Sequence, residues 1–324
     1  MASGPAAESS VLPVYVLTGP TGAGKTDWAV RLADGGAPIE IVSVDSALVY
    51  RGLDIGTAKP PKALRERIPH HLIDLCDPAE SYSAGRFVVD ALASIRAIHS
   101  RGRVPLLVGG TMLYLRALLQ GLAPLPAAAP ELRAQLDARA AKEGWPALHA
   151  ELSRLDPAAA ARIAPSDSQR IQRALEVCLT AGRPLTELQR ATVSPIAGFP
   201  VRQWALVPTD RSVLHERLAE RFAAMMKAGF LEEVRGLHAR GDLTARHPSM
   251  RAVGYRQLWA HLDGTYDLTE AVRRGVAATR QLAKRQITWL RSLRQEFETQ
   301  WLDPHTGELS LNRDITRELA KLGL

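Results

Sequence analysis

Eight residues near the N-terminus have the types and spacing to hold a chain of phosphates. Gly19-Pro20-Thr21-Gly22-Ala23-Gly24-Lys25-Thr26 reads Gly, four residues, Gly-Lys-Thr. Glycines let the backbone turn tightly and aim its N–H groups inward. A helix starting at the end of the loop adds the positive end of its dipole. Lys25 brings a point charge to the terminal phosphate, and the Thr26 hydroxyl can ligate Mg²⁺. The expected ligand is a diphosphate or a triphosphate. A Gly-rich turn without a ligand is the plain alternative, but an apolar run before the loop and a helical pattern after it favour the phosphate reading. Kinases, ATPases and transferases all use such a loop, so it does not name a reaction.

A second chemical position is Asp45. It follows the apolar run 39–44, and ligands of open parallel sheets sit beyond the carboxyl ends of the strands. There Asp45 fits three roles: a general base, a Mg²⁺ ligand through water, or a helix cap.

The surrounding patterns supply the elements that position these groups. Residues 11–17, 39–44, 104–108 and 203–207 read as buried strands, and 71–75 is a further candidate. Residues 27–33, 83–101, 211–227 and 268–295 read as helices, with Ser81 or Ser83 as the cap of the second. Alternating strands and helices predict an α/β fold with a parallel sheet covered on both faces. The texture changes after Gln120. Residues 122–130 are rich in Pro and Ala and read as a connector, and 131–182 carries only helical patterns. Ile171, Leu175, Cys178 and Leu179 follow the spacing of one buried helix face. The expected organisation is a phosphate-loop core over 1–121, a helical insertion over 122–200 and the rest of the core over 201–324.

Composition narrows the partners. The chain has 324 residues, 41 of them basic and 34 acidic, and only seven of the basic residues are Lys. Arg binds phosphate through a planar fork of donors, and a net charge of +7 suits an anionic macromolecule, nucleic acid first. Cys76 and Cys178 stand in no metal-ligand spacing and point to a reducing compartment. Residues 1–10 lack the basic start and apolar core of a signal peptide, and no apolar run approaches a membrane span, so the expected location is the cytoplasm. Nothing in the sequence demands a dimer.

Two segments have the chemistry of RNA contact. From Arg273 to Arg294 there are seven basic residues and no acidic one. Arg273, Arg280, Lys284 and Arg291 fall on one stripe at about 3.6 residues per turn, with Leu282, Trp289 and Leu293 opposite, as though backed into a core. Unbroken positive charge attracts phosphate backbones, whereas ordinary solvated faces mix signs. Gln169, Arg170, Gln172 and Arg173 lie off the apolar stripe that holds Ile171, and paired Gln and Arg side chains can read base edges. Tyr50, Tyr114 and Tyr255 suit either base stacking or buried packing. His70 and His71 suit a structural role better than a metal site.

Beyond these features, the chain resembles the tRNA dimethylallyltransferases (tRNA isopentenyltransferases). The resemblance runs along nearly the whole sequence. It rests on the phosphate loop, on residues 43–60 beginning Ser43-Val44-Asp45-Ser46, on His71-Leu72-Ile73-Asp74, and on Asp77-Pro78-Ala79-Glu80-Ser81-Tyr82-Ser83. Further matches are Leu106 to Tyr114 with Gly109-Gly110-Thr111, Gln169 to Glu176, Arg251-Ala252-Val253-Gly254-Tyr255-Arg256, and Thr279 to Gln286. It implies transfer of the dimethylallyl group of dimethylallyl diphosphate to the N6 amine of adenosine 37, beside the anticodon of tRNA. The loop then grips a prenyl diphosphate. By the same resemblance Asp45 is the base, Thr111 contacts the target nucleotide and Arg221 binds the diphosphate; without it, Arg217 and Arg221 read as a solvated helix face. The implied tRNA contacts are Asp45, Ser46, Ala47, Leu48, Thr111, Arg133, Gln169 to Arg173 with Ile171 and Gln172, Arg251 to Arg256 with Ala252, Val253, Gly254 and Tyr255, and Lys284, Arg285 and Arg291. The family usually has Ala-Ser where this chain has Gly22-Ala23, which loses a hydroxyl and keeps the backbone donors. Two other classes fit the residues alone: a small-molecule or nucleoside kinase, and a non-catalytic RNA-binding NTPase with Asp74 as its metal carboxylate.

Overall fold

A computed structural model describes residues 11–189, 192–304, 306–322 and 324. The reading of residues 1–10 lies outside them. The described chain separates into two compact units, residues 1–116 with 196–324, and residues 117–195.

The first unit is an α/β fold. Six parallel strands lie in the order β3-β2-β4-β1-β5-β6: β1 (Val14–Thr18), β2 (Ile39–Val44), β3 (His70–His71), β4 (Val104–Gly109), β5 (Val201–Leu206) and β6 (Gln300–Leu302). Strands β1 and β2 are buried at every position, as expected of a sheet covered on both faces. The helices of this unit are α1 (Lys25–Asp34), α2 (Lys62–Arg67) and α3 (Ala84–His99), with α4 (Met112–Gln120) beginning in it; the helices after β5 are given below. One core lies between the sheet, α1 and the C-terminal helix, with Tyr15 edge-on to Trp204 at 5.4 Å between ring centres. Glu40 is buried in β2 because His71 Nε2 at 2.7 Å and a bidentate Arg101 at 3.0 and 2.7 Å satisfy it.

Local expectations met mixed outcomes. Ser83 caps α3, accepting the Arg86 N–H at 3.1 Å. The first strand begins only at Val14, since Val11 is exposed. The candidate strand at 71–75 reduces to His70–His71. Beyond it Leu72 and Asp74 take φ of 64° and 58°, which ends pairing. Asp74 is held there by Lys59 Nζ at 2.5 Å and Arg65 Nη1 at 2.8 Å, so two cations already occupy the carboxylate considered for a metal. Tyr50, Tyr114 and Tyr255 are all buried, so packing wins over base stacking.

The second unit contains α5 (Pro130–Glu143), α6 (Trp145–Leu155), α7 (Pro157–Ala160), α8 (Ser168–Ala181) and α9 (Leu185–Leu188). Its core gathers Leu136, Leu148, Leu152, Ile171, Leu175, Val177 and Cys178. Leu179, expected on the buried face, is 44% exposed; the face turns instead through Ala174 and Val177. Glu176 is fully buried in α8. It takes Arg133 at 2.8 and 2.9 Å, Arg173 at 2.5 Å and the Ala129 N–H at 2.7 Å, while Arg173 also donates to Pro126 O at 3.0 Å. One carboxylate thus ties α8 to α5 and to the Pro-rich connector.

Burial pushes the Glu176 carboxyl up, but Arg133, the Ala129 N–H and Arg173 together overcome this and hold it down at about 2. Its contribution to stability is therefore present above the ordinary Glu range and is lost only as pH falls toward 2. Glu176→Gln is expected to destabilise this unit by roughly 3 kcal/mol, the low end for breaking a buried pair, because both guanidinium groups keep solvent access. Urea unfolding at pH 7 and pH 3 checks this: the difference between the two proteins is expected to persist at pH 7 and to shrink at pH 3.

Candidate active site

The phosphate loop leaves β1 and enters α1. Gly22 and Gly24 take φ of 79° and 84°, in the left-handed region where a side chain is strained. At Gly19 a β-carbon would fall 2.5 Å from Leu206 O, so the loop can leave the sheet only as glycine. The N–H groups of Gly22, Gly24, Lys25 and Thr26 donate to no other group among the described residues. That leaves a row of donors at the start of a helix, the geometry that cradles an anion. Lys25 Nζ donates to Pro20 O at 2.8 Å. Burial, and then Arg221, push its pKa down to about 8, while Asp45 opposes them.

Asp45 stands at the end of β2 in no helix. Its Oδ1 accepts the N–H groups of Ala47 at 2.7 Å and Leu48 at 3.2 Å, so it caps a turn rather than a helix. Its second oxygen has no partner among the described residues. Beside it, Thr111 follows β4; its N–H donates to Val44 O at 3.1 Å and its Oγ1 accepts the Ser46 N–H at 3.1 Å. Strand β4 lies between β1 and β2. Two strand spacings therefore separate the phosphate loop from Asp45, roughly 10 Å.

These groups border one cavity of about 500 Å³. Its sheet side is Thr21, Asp45, Ser46, Ala47, Gly110 and Thr111. Opposite are helices α10 (Arg211–Lys227) and α13 (Leu268–Glu296), which contribute Leu218, Arg221, Phe222 and Met225, and Thr279, Leu282, Arg285, Gln286 and Trp289. Arg251, Ala252, Val253 and Tyr255 complete it, from the turn before α12 (Tyr255–Leu262) and the helix itself. Tyr255 donates to Glu233 of α11 (Phe230–His238) at 2.5 Å. The same carboxylate accepts the N–H groups of Asp54, Ile55 and Gly56, which clamps that loop. Burial lowers the Arg221 pKa, with Asp45 and Asp27 opposing and Arg217 adding to the fall. Among the described residues neither Lys25 nor Arg221 has an ion-pair partner. A cavity lined by the unpaired Arg221 and by a carboxylate with a free oxygen, next to the loop that carries Lys25, can bind an anionic leaving group and accept a proton.

Comparison with known proteins is consistent across three kinds of match. The model of the IPP transferase family matches residues 48–293. A Bordetella petrii protein named tRNA dimethylallyltransferase is 58% identical over 286 residues, covering 88% of this chain and 91% of that one. The Alkalilimnicola ehrlichii protein of the same name is 56% identical over 308 residues, covering 95% and 96%. The chain belongs to the IPP transferase family. Among solved structures, the full-length tRNA isopentenylpyrophosphate transferase of Bacillus halodurans is 34% identical with a TM-score of 0.68, covering 96% of this chain and 98% of that one. A eukaryotic dimethylallyltransferase acting on tRNA is 27% identical with a TM-score of 0.74, covering 90% and 74%.

Within this IPP transferase family fold, the remaining sequence-based candidates fall in distinct places. Thr26 is exposed in the first turn of α1. Arg251, Arg256, Lys284, Arg285 and Arg291 are exposed, and Arg251 and Arg285 also border the cavity. Gly254 and Tyr255 are buried, and Tyr255 lines the cavity wall. The cationic stripe needs correction. Arg273 is held by Glu270 at 2.6 and 2.7 Å, and Arg280 donates to His215 O at 3.3 Å, leaving Lys284 and Arg291 outward. Leu282 and Trp289 line the cavity rather than a core; the packed side of α13 is Ala283 and Ile287 against Leu214 and Leu218 of α10. In the second unit Gln169 and Arg170 are exposed, whereas Ile171 is fully buried. Gln172 bonds Asp137 at 2.7 Å, and Arg133 and Arg173 serve Glu176. Leu218, Phe222, Met225 and Gln286 were not anticipated: an apolar helix face and one buried amide carry no signal until α10 and α13 are packed.

Lys25 yields a pH prediction. Because its pKa is lowered to about 8, its charge is present below that value and lost above it. Affinity for inorganic diphosphate, measured calorimetrically from pH 7 to 9.5, is expected to fall above about pH 8 relative to Lys25→Arg, whose guanidinium stays charged. Parallel profiles would remove Lys25 from the anion site.

Proposed function

We propose that the protein transfers the dimethylallyl group of dimethylallyl diphosphate to N6 of the adenosine at position 37 of tRNA, releasing diphosphate. The observation that carries this is Asp45. One oxygen is pinned by two backbone N–H groups, and the other is free beside a cavity that Arg221 also lines and that the phosphate loop borders at Thr21. The relatives named tRNA dimethylallyltransferase support tRNA as the acceptor, and the geometry around Asp45 supports its role as the base.

An exocyclic amine is a weak nucleophile, so a base that removes its proton as the new bond forms speeds transfer. The N6 nitrogen attacks C1 of the allyl group, the C1–O bond breaks with its electron pair leaving on the diphosphate, and the N6 proton passes to Asp45. The loop N–H groups, Lys25 and Arg221 stabilise the departing anion, where positive charge helps most. The exposed Thr26 hydroxyl, with no partner among the described residues, would hold a Mg²⁺, which would supply positive charge to the leaving group. The target base must leave its stack to reach Asp45. Exposed Arg251, Arg256, Lys284, Arg285, Arg291, Gln169 and Arg170 are the side chains open to tRNA. On this reading the protein acts as a monomer in the cytoplasm; among the described residues no helix is long and apolar enough to cross a membrane.

The test is direct. With Mg²⁺, dimethylallyl diphosphate and unmodified tRNA, and no ATP, mass spectrometry of the nucleosides is expected to show one C5H8 added to adenosine. No addition, together with ATP consumption on a small acceptor, would replace this function with the kinase alternative. Asp45→Asn keeps an acceptor for the Ala47 and Leu48 N–H groups, so it is expected to bind tRNA normally and to lose turnover by roughly 100- to 10,000-fold. Wild-type turnover would take the base role from Asp45. Lys284→Glu is expected to weaken tRNA binding and to flatten its dependence on log salt by about one, the share of one phosphate contact. An unchanged slope would place Lys284 away from RNA.

A further inference from the structure

The buried amide of Gln286 joins the two halves of the cavity's sheet side. From α13, its Oε1 accepts the Thr21 N–H of the phosphate loop at 2.8 Å, and its Nε2 donates to Gly110 O at 2.8 Å. The amide is a donor and an acceptor at once, so it measures both edges together. Gly110 precedes Thr111, whose hydroxyl accepts the Ser46 N–H next to Asp45. A continuous path of hydrogen bonds and peptide units therefore runs from the loop through Gln286 and Thr111 to Asp45. Strand pairing brings the ends of β1 and β4 together but leaves the loops beyond them free to shift. Gln286 is the side chain that spans that gap. It also takes the Thr21 N–H away from any phosphate, so the anion cradle begins at Gly22. The neighbouring backbone is shaped around it: a β-carbon on Gly110 would lie 2.5 Å from Nε2.

We propose that Gln286 is a positioning residue that fixes the separation between the donor cradle and the base. This rests on the proposed transfer reaction. A displacement of about 1 Å between reacting groups can cost on the order of 100-fold in rate, so kcat is the quantity it controls.

The experiment uses the full chain with dimethylallyl diphosphate, unmodified tRNA and Mg²⁺, with wild type alongside two variants. Gln286→Leu removes both bonds at similar volume. Gly110→Ala leaves Gln286 in the sequence but places a β-carbon 2.5 Å from its flexible amide and 3.0 Å from Gly19 O, so it displaces the amide while crowding the loop edge, and it keeps the proposal open to refutation if Gln286→Leu fails to fold. For both, kcat is expected to fall roughly 100-fold, while the dissociation constants for inorganic diphosphate and tRNA stay near wild type. Wild-type kcat in either folded variant overturns the proposal. So does a loss of diphosphate affinity matching the loss of kcat, which would make Gln286 part of the cradle itself. If wild type transfers no C5H8, the function fails first and the positioning role falls with it; if wild type transfers and the variants match it, only the positioning role fails.

Discussion

The carbonyl oxygen of Val44 is the point on which the site's geometry depends. It ends β2, pairs in register with Gly109 of β4, and accepts the Thr111 N–H at 3.1 Å. The approach is so close that a β-carbon on Gly109 would sit 2.1 Å from that oxygen. With β4 locked there, Asp45 and the phosphate loop lie on either side of one intervening strand. Parallel pairing of three strands thus sets the spacing of the strand ends between which a donor and an acceptor must fit, and Gln286 joins the loops beyond β1 and β4.

Charge distinguishes this region from the rest of the protein. Elsewhere, several buried charges are matched by ion pairs. Lys59 lies between Asp54 and Asp74, Glu40 is met by Arg101 and His71, and Glu176 by Arg133 and Arg173. Lys25 and Arg221 are half-buried and have no ion pair among the described residues, and burial lowers both pKa values. Leaving cations desolvated and unpaired is destabilising unless an anion arrives. Unpaired cations at such a place are the usual mark of a working site rather than of a structural ion network.

The second unit shows how a residue type can mislead. Arg133 and Arg173 carry the chemistry of RNA contact, yet both turn to one buried carboxylate. A buried Glu needs partners, and the nearest guanidinium groups supply them before any ligand can. Gln169 and Arg170, one turn earlier on α8, keep solvent because only Asp167 competes for Arg170, and weakly at 3.4 Å.

Local order along the chain was enough to determine much of this protein. The phosphate loop, the strand before Asp45, the α/β class and the helical segment after residue 120 all follow from short-range spacing, and hydrophobic periodicity and glycine chemistry are local properties. The family resemblance added the roles of Asp45, Thr111 and Arg221. Tertiary structure decided what depends on partners distant in sequence. It cut the strand at 71–75 to two residues, because Lys59 and Arg65 hold Asp74 in a turn. It moved Leu282 and Trp289 from core to cavity, because α10 packs against a different side of α13. It brought Gln286 to Thr21 across 265 residues. Spacing within one helix says which side chains share a face; only the packing of that helix against others says what the face meets.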